Sequence, residues 1–269
     1  MQGQSFTNTN CKYDSGSHEF LDCSWDNEEL GNNGCAIEFN AENSGRSGSL
    51  NVKRCSFFHC HSSGNVGSGG VAAFCISSAS VSDSFFYDCS CPMSETQEGG
   101  GVFIGNLSVQ PLIRCCSFIS CESADDGGGC GIWYSASSFP YAVDSCCFIK
   151  CKGTDEAHSE GGGVILWDNN KTIGISNSLF SGNHAVSGGA IDLYDVSPST
   201  FSNPLKFYSF DKNTGRNGND ILFSSRPPSY PLLQCFSTTA SSRIYNGEND
   251  WTHSKQWSND CAFITIRQE

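Results

Sequence analysis

The chain has 269 residues and a formal net charge of −13 at pH 7, and only 16% of its residues are charged. This acidity argues against nucleic acid or an anionic membrane as partner, because binding phosphate groups requires a positive field. The 19 phenylalanines supply material for a core, while 29 glycines and few helix formers argue against a helical bundle. No run approaches the ~20 apolar residues of a membrane span, so we expect no membrane insertion in this chain.

A Phe-x-x-Cys or Phe-x-x-Asn motif repeats along the sequence. It is found at Phe20–Cys23, Phe57–Cys60, Phe86–Cys89, Phe118–Cys121, Phe148–Cys151, Phe180–Asn183 and Phe210–Asn213. Subtracting these residue numbers gives Phe-to-Phe spacings of 37, 29, 32, 30, 32 and 30. An apolar residue stands five positions before every Phe except the first, where Ser15 is found. A period in this range is typical of a solenoid.

Each unit also contains short apolar segments that follow a glycine cluster, such as Gly101-Val-Phe-Ile104 and Gly163-Val-Ile-Leu-Trp167. Short apolar runs bounded by turn formers favour strands over helices. They predict an all-β fold, a right-handed single-stranded parallel β-helix of about seven coils, with the motif phenylalanines in one buried column. We assign residues 1–223 to this repeat domain and 224–269 to a capping or irregular segment, and we expect no comparable cover on the first coil.

Cysteine gives way to asparagine at the last motif position after Cys151, which favours a packing slot for a small side chain over a catalytic position. We predict a ladder of buried thiols formed by Cys23, Cys60, Cys89, Cys121 and Cys151. Five flanking cysteines are better placed for disulfides: Cys55, Cys115, Cys116, Cys146 and Cys147. Beyond the repeat, Cys235 is predicted to pair with Cys261. A total of 17 cysteines favours an oxidising compartment, so we expect an extracellular or cell-surface location.

The loops between each motif and the following glycines vary in length and are acidic. Stacking of the coils should gather their carboxylates into one stripe. Loops of variable length often form the binding face of a repeat protein, although plain solvated turns are the alternative. The candidate binding residues are Glu95, Glu98, Glu122, Asp125, Asp126, Asp155, Glu156 and Glu160.

Catalytic and metal sites find less support. Cleavage of a glycan by acid–base chemistry needs two carboxylates at a defined separation. Asp125-Asp126 resembles half of a polygalacturonase site, but the Asn-x-Asp, Gly-His-Gly and Arg-Ile-Lys motifs of that family are missing from the sequence. The cysteine spacing follows the coil repeat and not a zinc-binding pattern. We therefore expect no catalytic residues, no metal and no cofactor.

Two motifs carry a resemblance to a known family. Ser178-Leu-Phe-Ser-Gly-Asn183 followed by Gly188-Gly-Ala-Ile191 resembles the paired repeats of the polymorphic outer-membrane proteins, which are β-helix surface adhesins of bacteria. The cysteine-rich coils, such as Cys116-Ser-Phe-Ile-Ser-Cys121, are also similar to β-helix surface proteins of protists.

The leading hypothesis is a non-catalytic secreted or cell-surface protein that recognises an unknown host glycan or protein surface through loops on one face, and we expect it to be a monomer. Two alternatives stay open because β-helices host many functions. One is a diverged carbohydrate-active enzyme of the polysaccharide lyase or glycoside hydrolase type. The other is a structural spacer or coat protein.

Overall fold

The computed structural model describes residues 1–7, 9–27, 36–42, 48–62, 67–91, 98–107, 111–134, 143–168, 175–194, 205–216, 220–223, 233–237, 243–245, 250–254 and 265–268. Apart from one 3-10 helical residue at Glu42, every regular element in these ranges is a β-strand, which confirms the predicted all-β class. Within the same ranges no helix is long and apolar enough to cross a membrane.

The strands, numbered in chain order, stack in parallel rows and form a β-solenoid. One 14-stranded sheet contains two rows joined through β23. Its first row is β3 (Ser17–Leu21), β6 (Ser49–Lys53), β10 (Ser78–Ser82), β15 (Leu112–Arg114), β19 (Val143–Asp144) and β23 (Ile175–Ser181). Its second row, here called the motif row, is β1 (Ser5–Thr7), β4 (Ser24–Asp26), β7 (Ser56–Phe58), β11 (Phe85–Tyr87), β16 (Ser117–Ile119), β20 (Cys147–Ile149), β23, β25 (Leu205–Asp211) and β27 (Leu233–Ser237).

The remaining strands form three further sheets. The 11-stranded sheet is β2 (Cys11–Tyr13), β5 (Ile37–Asn40), β9 (Val71–Phe74), β14 (Val102–Gly105), β18 (Cys130–Tyr134), β22 (Val164–Asp168), β24 (Ile191–Tyr194), β26 (Ile221–Phe223), β28 (Arg243–Tyr245), β29 (Asp250–Ser254) and β30 (Thr265–Gln268). The short sheets are β12 (Ser90–Cys91), β17 (Glu122–Ser123) and β21 (Lys152–Gly153), and β8 (Gly67–Ser68) with β13 (Glu98–Gly99). In the 11-stranded sheet, neighbouring strands pair in parallel from β2 to β28, and the last two pairings, β28 with β29 and β29 with β30, are antiparallel. The proposed boundary at residue 223 stays a prediction.

A column of stacked aromatic rings fills the core, as the repeat predicts. The rings of Phe86 and Phe118 lie 4.8 Å apart with planes 6° apart, and Phe118 and Phe148 repeat that spacing at 0°. All three side chains are fully buried. The spacing of the rings equals the distance between neighbouring strands of a sheet, so each turn adds one ring to the column.

The first motif is placed differently from the prediction. Trp25, and not Phe20, pairs with Phe57 and stacks on its ring at 4.8 Å, while Phe20 pairs with Val52 in the first row. Counting from Trp25 gives a spacing of 57 − 25 = 32 residues and places apolar Phe20 five positions before the ring. Both irregularities of the first unit therefore disappear. Cys23 consequently lies in the flanking column with Cys55, and its assignment to the Cys60 ladder is wrong.

The last glycine of each cluster lets the chain pass directly over a ring of the column. A Cβ on Gly129 would lie 2.6 Å from a ring carbon of Phe148, and one on Gly101 would lie equally close to the Phe118 ring. Any side chain at these positions would displace the ring or the backbone. The Gly-Gly-Gly clusters and the Phe motifs are therefore two halves of one packing unit.

The exchange of cysteine for asparagine also has a physical basis in the structure. The Cys151 thiol donates to the carbonyl oxygen of Phe118, one turn earlier, at 3.5 Å. Asn183 in the next turn donates from Nδ2 to the carbonyl oxygen of Phe148 at 3.0 Å. Both side chains satisfy the same kind of buried carbonyl, and the slot needs a small hydrogen-bond donor. Every cysteine whose side chain the structure describes is a free thiol, so the prediction that Cys55, Cys115, Cys116, Cys146 and Cys147 form disulfides is wrong.

The first coil is not left open, contrary to the prediction. Strands β1 and β2 lie against β4 and β5, and the Phe6 ring stacks on Trp25 at 4.7 Å. The side chains around Phe6 in β1 are exposed and polar. This half-turn therefore covers the lower end of the aromatic column.

Candidate functional site

The motif row presents an apolar surface to solvent. Each of its three-residue strands buries the central side chain and turns the two flanking side chains outward. In five consecutive turns at least one outward position is aromatic or aliphatic. We call this surface the outward strip and define it by Phe58, Phe85, Tyr87, Ile119, Ile149 and Leu179.

The aromatic members of the outward strip lie together at one end. The Phe58 and Phe85 rings are 5.8 Å apart, and the Phe85 and Tyr87 rings are parallel within 5° at 6.4 Å. Tyr87 is 40% exposed. The other five members of the outward strip are half-buried. Neighbouring apolar side chains that reach the surface in this way form a candidate contact surface for another molecule.

Two sharp corners bound the outward strip. Each corner is a single residue with a left-handed backbone, for example Asp83 with φ 52° before β11 and Asp88 with φ 51° after it. These residues turn the chain out of the sheet, so they limit the strip to the width of a three-residue strand. The polar side chains of the corners frame an apolar centre.

The sequence analysis did not identify the outward strip. A signal was present, because the residue after the motif Phe is Phe58, Tyr87, Ile119 or Ile149 in four consecutive units. A strand with one buried face normally alternates apolar and polar residues. An apolar residue directly after a buried Phe, repeated at the coil period, predicts an exposed apolar face.

The structure divides the predicted acidic stripe into separate groups. Glu95 lies outside the described residues, and Glu98 is described only as part of the backbone of β13. Glu122 forms an ion pair with Lys152, with 2.8 Å between Oε1 and Nζ. Asp155 and Glu156 are exposed and lie in a turn, where Asp155 accepts a 2.7 Å hydrogen bond from the Ala157 amide.

Asp125, Asp126 and Glu160 come together, as the stacking of loops predicts. Asp126 pairs with Glu160 across neighbouring turns, and the Glu160 amide donates to the carbonyl oxygen of Asp125 at 2.9 Å. Asp126 is only 5% exposed. Each of these two acids directly precedes a Gly-Gly-Gly cluster, so the close packing of the glycines holds the carboxyl groups near one another.

Burial and mutual repulsion keep these carboxyl groups protonated at unusually high pH. Burial, followed by the charges of Asp125 and Glu160, raises the pKa of Asp126 to about 8. Burial and the charge of Asp125 raise the pKa of Glu160 to about 7. Burial and Asp155 raise the pKa of Asp125, which the nearby His158 partly offsets. The cluster can therefore store or exchange a proton near neutral pH.

Other chemistry is less well supported by the part of the chain that the structure describes. No group of three or more His, Cys, Asp or Glu side chains there is arranged to hold a metal ion. The His61 ring lies 2.6 Å from the Ser90 hydroxyl, but His184 and Thr214 repeat this arrangement at 2.8 Å. Similar side-chain bonds join neighbouring turns elsewhere, as between Ser80 and Asn51, so these pairs stabilise the stack.

No family model matches the chain, and no curated protein or solved structure is significantly similar to it. The site must therefore be interpreted from its own geometry.

Proposed function

We propose that this chain is a non-catalytic recognition protein, secreted or displayed at a cell surface, that binds a host glycan or protein surface through the outward strip. The observation that carries the proposal is the group of three neighbouring aromatic rings on the outer side of the motif row, formed by the exposed Tyr87 and the half-buried Phe58 and Phe85. Aromatic side chains dominate binding surfaces because they bury a large area at small entropic cost. The proposal moves the binding face from the acidic loops to the motif row.

A right-handed solenoid with about seven coils is part of this proposal. Parallel strands joined by crossovers are overwhelmingly right-handed. The aromatic column from Trp25 to Phe210 contains one ring for each proposed coil. Membership of the polymorphic outer-membrane protein family and a role as an adhesin remain proposals that rest on the repeat motifs.

A binding array that contains glycans and host proteins tests the function directly. We expect the parent to bind at least one ligand, and Tyr87→Ala to lose that binding. Leu112→Ala is the matched control, because Leu112 is also 40% exposed but lies on the first row, away from the outward strip. If both variants bind as well as the parent, the outward strip is not the ligand-binding surface.

A carbohydrate-active enzyme is the second candidate, and the carboxyl cluster favours it. Glycosidases use one carboxyl group of raised pKa as the acid and a second carboxylate as base or nucleophile. Asp126 and Glu160 meet the first requirement, since their pKa values are about 8 and about 7. A polysaccharide depolymerisation screen with the parent and Asp126→Asn tests this candidate. Activity in the parent that disappears in Asp126→Asn would favour the enzyme over the recognition protein.

A further inference from the structure

Acidic groups surround the aromatic end of the outward strip. Asp26 precedes Phe58 in the same outward column, and its side chain is 56% exposed. Asp88 follows Tyr87 directly at the corner and is half-buried. Asp83 stands at the opposite corner, two residues before Phe85, and is exposed. Three carboxylates therefore frame three aromatic rings.

The basic side chains near this end contact acids of this chain, and one of those acids is Asp26 itself. Arg54 donates two hydrogen bonds to Asp22, of 2.6 and 2.9 Å. The His59 ring lies 3.3 Å from a carboxylate oxygen of Asp26 and contacts the Tyr87 ring edge-on at 5.8 Å. Asp83 and Asp88 therefore keep negative charge at the aromatic end, in line with the net charge of −13 of the whole chain.

The other end of the outward strip differs in both shape and charge. It consists of the aliphatic side chains Ile119, Ile149 and Leu179, and the exposed Lys150 lies at its corner. Within the outward strip, the aromatic rings and the corner carboxylates Asp83 and Asp88 thus lie at one end. The two ends of the strip therefore differ in charge, whereas a uniform hydrophobic contact surface would have the same charge throughout.

We propose that the aromatic end binds a basic segment of a partner protein, with Arg or Lys side chains placed on the rings of Phe85 and Tyr87 and paired with Asp83 and Asp88. The inference rests on the proposed function, because it names the partner of the same strip. Aromatic rings attract a cation through their negative faces, and a planar guanidinium also stacks on them. The field of the whole chain would steer a basic segment toward the protein and repel an anionic glycan.

Fluorescence polarisation with labelled nona-arginine tests the proposal, with nona-glutamate and a neutral glucan oligosaccharide as comparison probes. We expect nona-arginine to bind the parent, and binding to weaken as salt screens the carboxylates. Tyr87→Ala should weaken binding by about tenfold, the effect of losing one cation–π contact at a partly shielded site. Asp88→Asn should weaken it by about threefold or more.

Two control variants separate the site from the general charge of the protein. Glu156→Gln removes the same charge as Asp88→Asn from an exposed turn, and Leu112→Ala removes an equally exposed side chain from the first row. Both should bind within about twofold of the parent. Circular dichroism melting curves establish that every variant is folded.

The outcomes distinguish this inference from the function on which it rests. If Glu156→Gln weakens nona-arginine binding as much as Asp88→Asn, or Tyr87→Ala has no effect, the basic-segment inference is wrong. If a neutral glycan binds and depends on Tyr87 while nona-arginine does not bind, the outward strip keeps its function and the partner class is wrong. If no probe and no ligand on the array depends on Tyr87, both proposals fail.

Discussion

Replacing Asp126 by Asn removes the most strongly perturbed described carboxyl group without changing its shape. Burial and the neighbouring acids raise its pKa from 3.8 to about 8. In the unfolded chain this carboxyl ionises near pH 4, whereas in the folded protein it keeps its proton until about pH 8. The native state therefore holds more protons between these limits, and its stability must fall as the pH rises through them.

The size of the effect follows from the shift. One unit of pKa corresponds to about 1.4 kcal/mol, so the full shift of about four units sets an upper limit near 6 kcal/mol. Because the side chain keeps 5% exposure and its surroundings can relax, we expect about 2–4 kcal/mol. Asp126→Asn should be as stable as the parent near pH 4 and more stable by this amount at pH 8.

Urea denaturation at several pH values between 4 and 8 measures the difference. Glu156→Gln is the control, since it removes one carboxylate from an exposed turn and should follow the parent curve. Glu160→Gln should also reduce the loss of unfolding free energy with rising pH, as Asp126→Asn does, because burial raises the pKa of Glu160 to about 7. If the curves of the parent and Asp126→Asn stay parallel across this range, the carboxyl groups do not share a buried cluster.

The core makes three further predictions. Phe118→Ala should lose about 3–5 kcal/mol of unfolding free energy, measured by urea denaturation. Tyr87→Ala, on the outer side of the same sheet, should lose less than about 1 kcal/mol. Equal losses would show that Phe118 is not buried in the aromatic column. Cys151→Asn should stay within about 1 kcal/mol of the parent, because it extends the Asn183 and Asn213 ladder, whereas Cys151→Asp should lose several kcal/mol by burying a charge. Among the cysteines with described side chains, thiol reagents should label Cys115 and Cys147 first in the native protein, because the ladder thiols are buried and inaccessible to the reagent. Rapid labelling of the ladder would refute this.

The Phe frame was sufficient to predict the class of fold and the buried column, because each coil repeats the same packing problem and solves it with the same residues. The frame failed at its first unit, where Phe20 offered a better match to the motif than Trp25. The irregular spacing of 37 residues and the polar Ser15 both indicated the error. Periodicity was therefore a more reliable guide than residue identity.

The candidate site was predicted less completely. Loop stacking correctly placed Asp126 beside Glu160, since both occupy the position before a glycine cluster. It could not predict that Lys152 would pair with Glu122, or that the Asp155 carboxylate would accept a hydrogen bond from the Ala157 amide, because loop conformation depends on contacts that a repeat does not specify. The proposed Cys235–Cys261 disulfide stays a prediction, since Cys261 and the Cys235 side chain lie outside what is described.

Hydroxyl-radical footprinting of the protein, free and bound to a ligand identified on the array, tests the central claim most directly. Phe58, Phe85 and Tyr87 should be protected from oxidation in the complex, because they form the contact surface. Leu112 should be oxidised equally in both states, since it has the same exposure as Tyr87 but lies outside the outward strip. Protection of the acidic turn at Asp155 and Glu156, with Tyr87 unchanged, would contradict the account and return the binding face to the loops.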